Sequence, residues 1–242
     1  MLDVGHVSVT YPDGTAALKD VSFHLEPGER CALIGGNGAG KTTLLMALVG
    51  LLQSSGTVMA AEVPLTEQNL PRLRQQVGVV FQNPDDQLFL PTVYQNVAFG
   101  LENADIPVSE IPERVEDTLE RLGILALKDR QAQRLSGGEK RMAALATVLV
   151  MEPKLLLLDE PTAFLDPKAR RRLIGVLQGL PETMLVATHD LTFALETCQR
   201  SLILRQGEIF ADGPSDPLLF DESTMDAGGV EAIGWSPERR SK

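Results

Sequence analysis

The residues Gly35-Gly36-Asn37-Gly38-Ala39-Gly40-Lys41-Thr42 fit the spacing G-x-x-x-x-G-K-[ST]. An apolar strand, RCALI, precedes them and an apolar helix running to about Leu52 follows. Small residues in such a loop let successive backbone N–H groups wrap a phosphate chain. Lys41 is placed to reach the β and γ phosphates, and the Thr42 hydroxyl to ligate Mg²⁺. Thr43 is grouped with them as a nucleotide contact.

Chemistry at a phosphate chain also needs a carboxylate on the metal side, at the end of a buried strand. The run Leu155 to Leu158 followed by Asp159 and Glu160 supplies one. Asp159 is expected to hold Mg²⁺, and Glu160 to polarise an attacking water. Strand alternation predicts that the two side chains diverge. Gln82 ends the apolar strand QVGVVF, where its amide could reach metal and water. His189 follows the strand MLVAT; it is either a structural histidine or a group near the same phosphate, while Asp190 reads as the N-cap of a helix over Leu191 to Thr197.

A third stretch, RLSGGEKRMAALA over 134–146, is a strong helix with glycines in its first turn, each costing about 1 kcal/mol of helix propensity relative to alanine. Ser136 and Glu139 form a predicted capping box. That leaves Gly137 and Gly138 unexplained, unless bare backbone at the helix mouth faces an anion.

The elements that must position these residues follow from hydrophobic patterning. Leu2 to Tyr11 and Val21 to Leu25 read as strands around a turn at Pro12-Asp13-Gly14, and Gln76 to Phe81, Leu155 to Leu158 and Met184 to Ala187 as buried strands. A hairpin is predicted around Gln206-Gly207. Strands alternating with helices imply a parallel sheet covered on both faces. The block from about 93 to 150 is helical and is expected to be inserted in a single domain spanning 1–242. The segment over 212–242 is a C-terminal acidic segment, read over Asp212 to Glu231 as loop and short helix. The basic run Lys168 to Arg172 reads as the solvated face of a helix whose apolar side is Leu173, Ile174, Val176 and Leu177.

Bulk composition agrees. With 242 residues and 43% hydrophobic residues the chain can bury a sizeable core, and its net charge of -11 argues against a nucleic-acid surface. Only Cys31 and Cys198 occur, so a reducing compartment is expected. No leader pattern is visible at the N-terminus, and Met142 to Met151 is about half the roughly 20 residues that span a bilayer. The histidines His6, His24 and His189 lack metal-ligand spacing.

Taken together, the P-loop, the glutamine after a strand, LSGGE, LLLLDEP, Ala163-Phe164-Leu165-Asp166 and the histidine after the next strand resemble the ATP-binding cassette (ABC) ATPases, in composition and order, from Tyr11 to His189. The resemblance implies an α/β P-loop NTPase fold: a RecA-like parallel sheet core with an antiparallel β part and an α-helical subdomain. It implies ATP with Mg²⁺, and catalytic roles for Glu160, His189 and Gln82. It also implies a head-to-tail dimer with a second copy of the chain, in which Ser136, Gly137, Gly138 and Glu139 of one copy cover the γ-phosphate held by the other. Asp166 falls at the dimer seam, though it is equally a good N-cap before Pro167. Tyr11 falls where the family stacks an aromatic on adenine; otherwise it is a strand-end tyrosine. Glu139 stands where many members have glutamine, and Phe164 where small residues are usual.

FQNPDDQLF over 81–89 further resembles the energy-coupling-factor (ECF) ATPases of vitamin and cobalt or nickel importers. There this segment helps receive a coupling helix from a membrane subunit. The implied function is ATP hydrolysis driving import of a cobalt or nickel ion, from a peripheral position at the cytoplasmic face of the inner membrane. Vitamin uptake and a soluble ABC ATPase acting on DNA or ribosomes are the alternatives. No nucleic-acid partner is expected.

Overall fold

The computed structural model describes residues 1–104 and 106–234. In chain order the elements are β1 (Leu2–Thr10), β2 (Ala16–Leu25), β3 (Arg30–Ile34), α1 (Lys41–Leu48), β4 (Ser55–Ala60), β5 (Val63–Pro64), α2 (Leu70–Gln76), β6 (Val77–Val80), α3 (Val93–Glu102), α4 (Ile111–Arg121), α5 (Gly137–Leu149), β7 (Leu155–Asp159), α6 (Pro167–Gly179), β8 (Thr183–Thr188), α7 (Leu191–Thr197), β9 (Arg200–Arg205), β10 (Glu208–Pro214), α8 (Ser215–Phe220) and α9 (Glu222–Ala227).

Two sheets form. One is antiparallel, in the order β2-β1-β4-β5; the other runs β10-β9-β3-β8-β7-β6 and is parallel except for β10. Strand alternation sorts the central side chains onto two faces. Leu155, Leu157, Leu185, Ala187, Cys31 and Leu33 face the core shared with α1 and the antiparallel sheet. Leu156, Leu158, Met184, Val186, Ala32 and Ile34 face the core built with α5 to α7. Burial on both faces is why these strands read as unbroken apolar runs.

Helices α3 to α5 lie between β6 and β7. Thr92 with Gln95 and Ser136 with Glu139 close capping boxes at the starts of α3 and α5. Three elements escape the sequence reading: β4, β5 and α2. β4 holds Gly56 at φ +89, where a Cβ would lie 2.4 Å from the His6 carbonyl. That close approach outweighs the weak strand propensity of glycine. β2 starts at Ala16 rather than Val21. α1 stops at Leu48 rather than about Leu52, followed by Gly50 at φ +66.

The acidic C-terminal stretch is more ordered than its composition suggests. Asp221 caps α9, and Leu219 and Met225 are fully buried against the core. Residues 235–242 of that expected segment lie outside the described residues. On α6, Leu173, Ile174 and Leu177 are buried as expected. Its basic run is not merely solvated: Arg170 pairs with Asp190 and Glu196, and Arg172 donates to the carbonyls of Leu122 and Gly123. Among the described residues no helix is long and apolar enough to cross a membrane.

Candidate active site

Register brings the candidate residues together. Ile34 pairs with Thr188, Asp159 with Ala187 and Val80 with Leu158, so the carboxyl ends of β3, β6, β7 and β8 open at one edge of the sheet. Ligands of open parallel sheets bind at that edge. A cavity of about 620 Å³ sits there, lined by Tyr11, Asn37 to Thr43, Gln82, Asp159, Glu160 and His189.

The loop between β3 and α1 depends on its glycines. Gly40 takes φ +108, and a Cβ there would meet the Ala17 carbonyl at 2.8 Å. Gly38, at φ +77, has open space where a side chain would project. Lys41 Nζ donates to the carbonyls of Gly35 (2.7 Å) and Gly36 (3.3 Å) and lies 3.8 Å from Glu160 Oε1. The Gln206-Gly207 turn braces the loop: Gly207 N–H donates to the Ala39 carbonyl at 3.1 Å, and its own carbonyl accepts from Lys19 N–H at 2.8 Å.

Thr42 Oγ1 donates to Asp159 Oδ2 at 2.8 Å. The other oxygen, Asp159 Oδ1, is buried without a hydrogen-bond partner among the described residues. Burial pushes the Asp159 carboxyl up, the Thr42 hydrogen bond opposing it. A buried, unpartnered carboxylate oxygen beside a threonine hydroxyl is a donor set that fits a hard cation. No cluster of three metal-ligating side chains occurs among the described residues. Mg²⁺ is a hard cation that takes one or two carboxylates together with phosphate oxygens, and the Thr42–Asp159 pair fits that donor set.

Glu160 departs from the expected geometry. The strand ends at Asp159, and Glu160 takes φ +44 in the turn that follows. Both carboxylates line the cavity, Asp159 against Thr42 and Glu160 between Lys41 and His189. Glu160 Oε2 accepts from His189 N–H at 3.3 Å and lies 2.9 Å from His189 Nδ1. The His189 ring is 68% exposed, free to meet a group entering the cavity. Tyr11 lines the cavity with its hydroxyl 2.8 Å from Thr43 Oγ1.

Ser136, Gly137, Gly138, Glu139 and Asp166 do not line this cavity. Ser136 Oγ and Glu139 Oε2 are occupied with each other at 2.8 Å, and the Ser136 N–H holds the Glu139 carboxyl below the usual carboxylate range. The glycines divide. A Cβ on Gly138 would meet the Ala169 side chain at 2.7 Å, so close packing of α5 on α6 requires glycine there. Gly137 is exposed and would meet only the Phe164 carbonyl, at 3.7 Å. Asp166 Oδ1 accepts from the N–H groups of Lys168 and Ala169, capping α6.

Thr15, Lys19 and Gln206 line the cavity but carry no spacing signal in the sequence. Arg141 is another residue that pattern reading passes over. It is 1% exposed, and burial lowers its guanidinium to about 10, with Asp159 opposing.

A glycine-dependent loop ending in a buried lysine, a buried carboxylate beside a threonine hydroxyl and a second carboxylate beside a histidine are the make-up of a P-loop nucleotide hydrolase. A sequence profile of the ABC transporter family matches residues 18–163. The chain is 48% identical to a "Putative ABC transporter ATP-binding protein" of Streptomyces avermitilis, over 98% of this chain and 91% of that one. It is 42% identical to the "Energy-coupling factor transporter ATP-binding protein EcfA" of Methanothermobacter thermautotrophicus, over 91% and 73% of the two chains. Among solved structures, cbiO1 of Clostridium perfringens, described as part of the ABC transporter complex cbiONQ, superposes with a TM-score of 0.83 at 38% identity over 93% of both chains. The cassette MJ0796, solved as a dimer bound to ADP and Pi, superposes with a TM-score of 0.80 at 27% identity over 89% of this chain and 99% of that one. The chain belongs to the ABC transporter family. Within it, the chain is an ATP-binding ATPase with the ABC ATPase fold and resembles the ECF-type members.

Proposed function

We propose that this chain is the ATP-hydrolysing subunit of an ECF-type importer. It acts as a head-to-tail dimer at the cytoplasmic face of the membrane and drives uptake of cobalt or nickel. The observation that carries the catalytic reading is the junction of Lys41, Thr42, Asp159, Glu160 and His189 in one cavity. The dimer reading is supported by the position of Ser136 to Glu139 outside that cavity, and by the dimeric neighbour. The ECF reading is supported by FQNPDDQLF and the EcfA and cbiO1 likenesses.

In this reading the N–H groups of 36–42 cradle the phosphates and Lys41 neutralises the γ-phosphate. Thr42 and Asp159 hold Mg²⁺, with Gln82 at the end of its loop; when bound, the ion offsets negative charge on the phosphates. Glu160 accepts a proton from the water that attacks the γ-phosphorus, as the bond to the β-phosphate oxygen breaks and ADP leaves with the electron pair. His189 sits against Glu160 and meets the same phosphate. Tyr11 stacks on the base. Phe89, 62% exposed and edge-on to Phe99 with ring centroids 5.1 Å apart, offers the membrane subunit an apolar contact.

The test separates the two carboxylates. Glu160→Gln is expected to bind ATP and to slow hydrolysis by about 10²–10⁴-fold. Size-exclusion chromatography with ATP and Mg²⁺ should show it as a stable dimer. Asp159→Asn should fail to form that dimer because Mg²⁺-dependent binding is weakened. Identical behaviour of the two variants refutes the roles. Cellular uptake of labelled cobalt or nickel, lost with Glu160→Gln, tests the cargo; unchanged metal uptake alongside lost vitamin uptake assigns the vitamin branch.

A further inference from the structure

Among the described residues, the largest fully buried side chain is not apolar: it is Arg141, on α5. An arginine almost never loses all contact with water without a dedicated partner. Its partners are backbone. Nη1 donates to the Phe81 carbonyl at 2.7 Å, and Nη2 to the Gln82 carbonyl at 2.6 Å. No carboxylate forms a salt bridge with it among the described residues, and Nε has no partner there either. A planar fork that binds two consecutive carbonyls fixes both the position and the tilt of the peptide between them.

Two further ties join the same segment to the same helix. Gln87 Nε2 donates to the Ala144 carbonyl (3.0 Å) and to Thr147 Oγ1 (2.8 Å), while its Oε1 accepts from Phe81 N–H (3.4 Å). Lys140 Nζ pairs with Asp85 at 2.6 Å. The loop that carries Gln82 into the cavity is thus bound to the helix that begins at Gly137.

We infer that Arg141 is a positioning residue, whose guanidinium holds the Phe81 and Gln82 carbonyls so that Gln82 moves with α5 and reaches the cavity only when α5 is in place. The inference rests on the ATPase reading of the cavity. It adds a physical link between the Gln82 amide and the helix whose first turn lies outside that cavity. A buried arginine serves this better than a neutral side chain, because charge-assisted bonds to carbonyls are about twice as strong as neutral ones.

The experiment compares Arg141→Met, which keeps the bulk and removes every donor, with Arg141→Lys, which keeps a charge and one donor. Each is made in the 242-residue chain and in a Gln82→Ala background. Arg141→Met is expected to bind ATP within about twofold of the parent while kcat falls about 10²-fold, the scale of a misplaced catalytic group. Arg141→Lys should recover part of kcat. In the Gln82→Ala background Arg141→Met should cost less than twofold more, because the two changes break one link. Full additivity overturns the inference: Arg141 would then be purely structural. If Arg141→Met proves unstable, Arg141→Lys carries the same cycle.

Hydrogen exchange provides a readout independent of hydrolysis. Amides of 81–87 should lose protection in Arg141→Met or Arg141→Lys while those of α1 keep theirs. Unchanged exchange over 81–87 in either folded variant overturns the inference, whatever the ATPase rate. An inactive parent with that exchange signature would instead count against the ATPase reading and leave the link standing.

Discussion

Lys41 is held by two carbonyls of its own loop, and α1 beyond it is anchored by Leu44, Leu45 and Leu48 in the core. Truncation therefore removes a charge without opening the core. Lys41→Ala is expected to fold normally, to lose about 10- to 100-fold in ATP affinity, the scale of a charged hydrogen bond, and to show no measurable phosphate release. Fluorescent-nucleotide titration and a phosphate assay check both. Most residues of the cavity are legible in the sequence because phosphate chemistry demands fixed types at fixed spacing. The exceptions are instructive. Arg141 falls among apolar helix formers, and its partners are carbonyls of another element, which no spacing can reveal. The conformation of Glu160 is hidden too, since φ +44 at a glutamate is imposed by the turn after β7 and not by its own preference.

Elements show the same division. β3, β7 and β8 are legible because burial on both faces leaves only apolar residues. β4 is not, because its pattern is mostly exposed and its place is set by backbone contact with β1. The packing of α5 on α6 is equally silent in sequence, yet it yields a sharp expectation at the glycines. Gly138→Val should lower the melting temperature and the soluble yield, because its Cβ would meet Ala169. Gly137→Ala should be tolerated for stability, since its Cβ would make ordinary contact. Thermal denaturation of the two variants decides it.

The tie between α6 and α7 gives a pH prediction. Burial alone would raise the Asp190 carboxyl, but hydrogen bonds from Arg170 and from the Phe193 N–H hold it below its ordinary value. A carboxyl depressed in the folded state adds stability that is complete above its unfolded value, about 3.9. That stability is lost as pH falls through the lower folded value. Asp190→Asn should lose this contribution at neutral pH and show a shallower fall in stability below about pH 4, as read from denaturant midpoints across pH.

At the scale of the whole molecule, the described residues that line the cavity around Lys41 do not include Ser136. In the proposed dimer, Ser136→Arg should therefore leave ATP binding by the monomer unchanged and stop hydrolysis. Mixing Ser136→Arg with Lys41→Ala makes the claim stricter. A mixed dimer pairs the intact phosphate loop of the first chain with the intact Ser136 of the second, so activity absent from either alone should reappear. Continued inactivity of the mixture, with dimers present, would remove the head-to-tail arrangement.

The sheet order has a consequence in time as well as in space. β3, which delivers the phosphate loop, pairs with β8 and β9, both made near the far end of the chain. A ribosome that has finished α5 has released every residue of the phosphate loop but neither of those neighbours. Pairings this distant in sequence close late. The antiparallel sheet can assemble during synthesis, since β1, β2 and β4 are close in sequence. The nucleotide cavity cannot, so a nascent chain stalled before β8 is expected to emerge without a place for ATP.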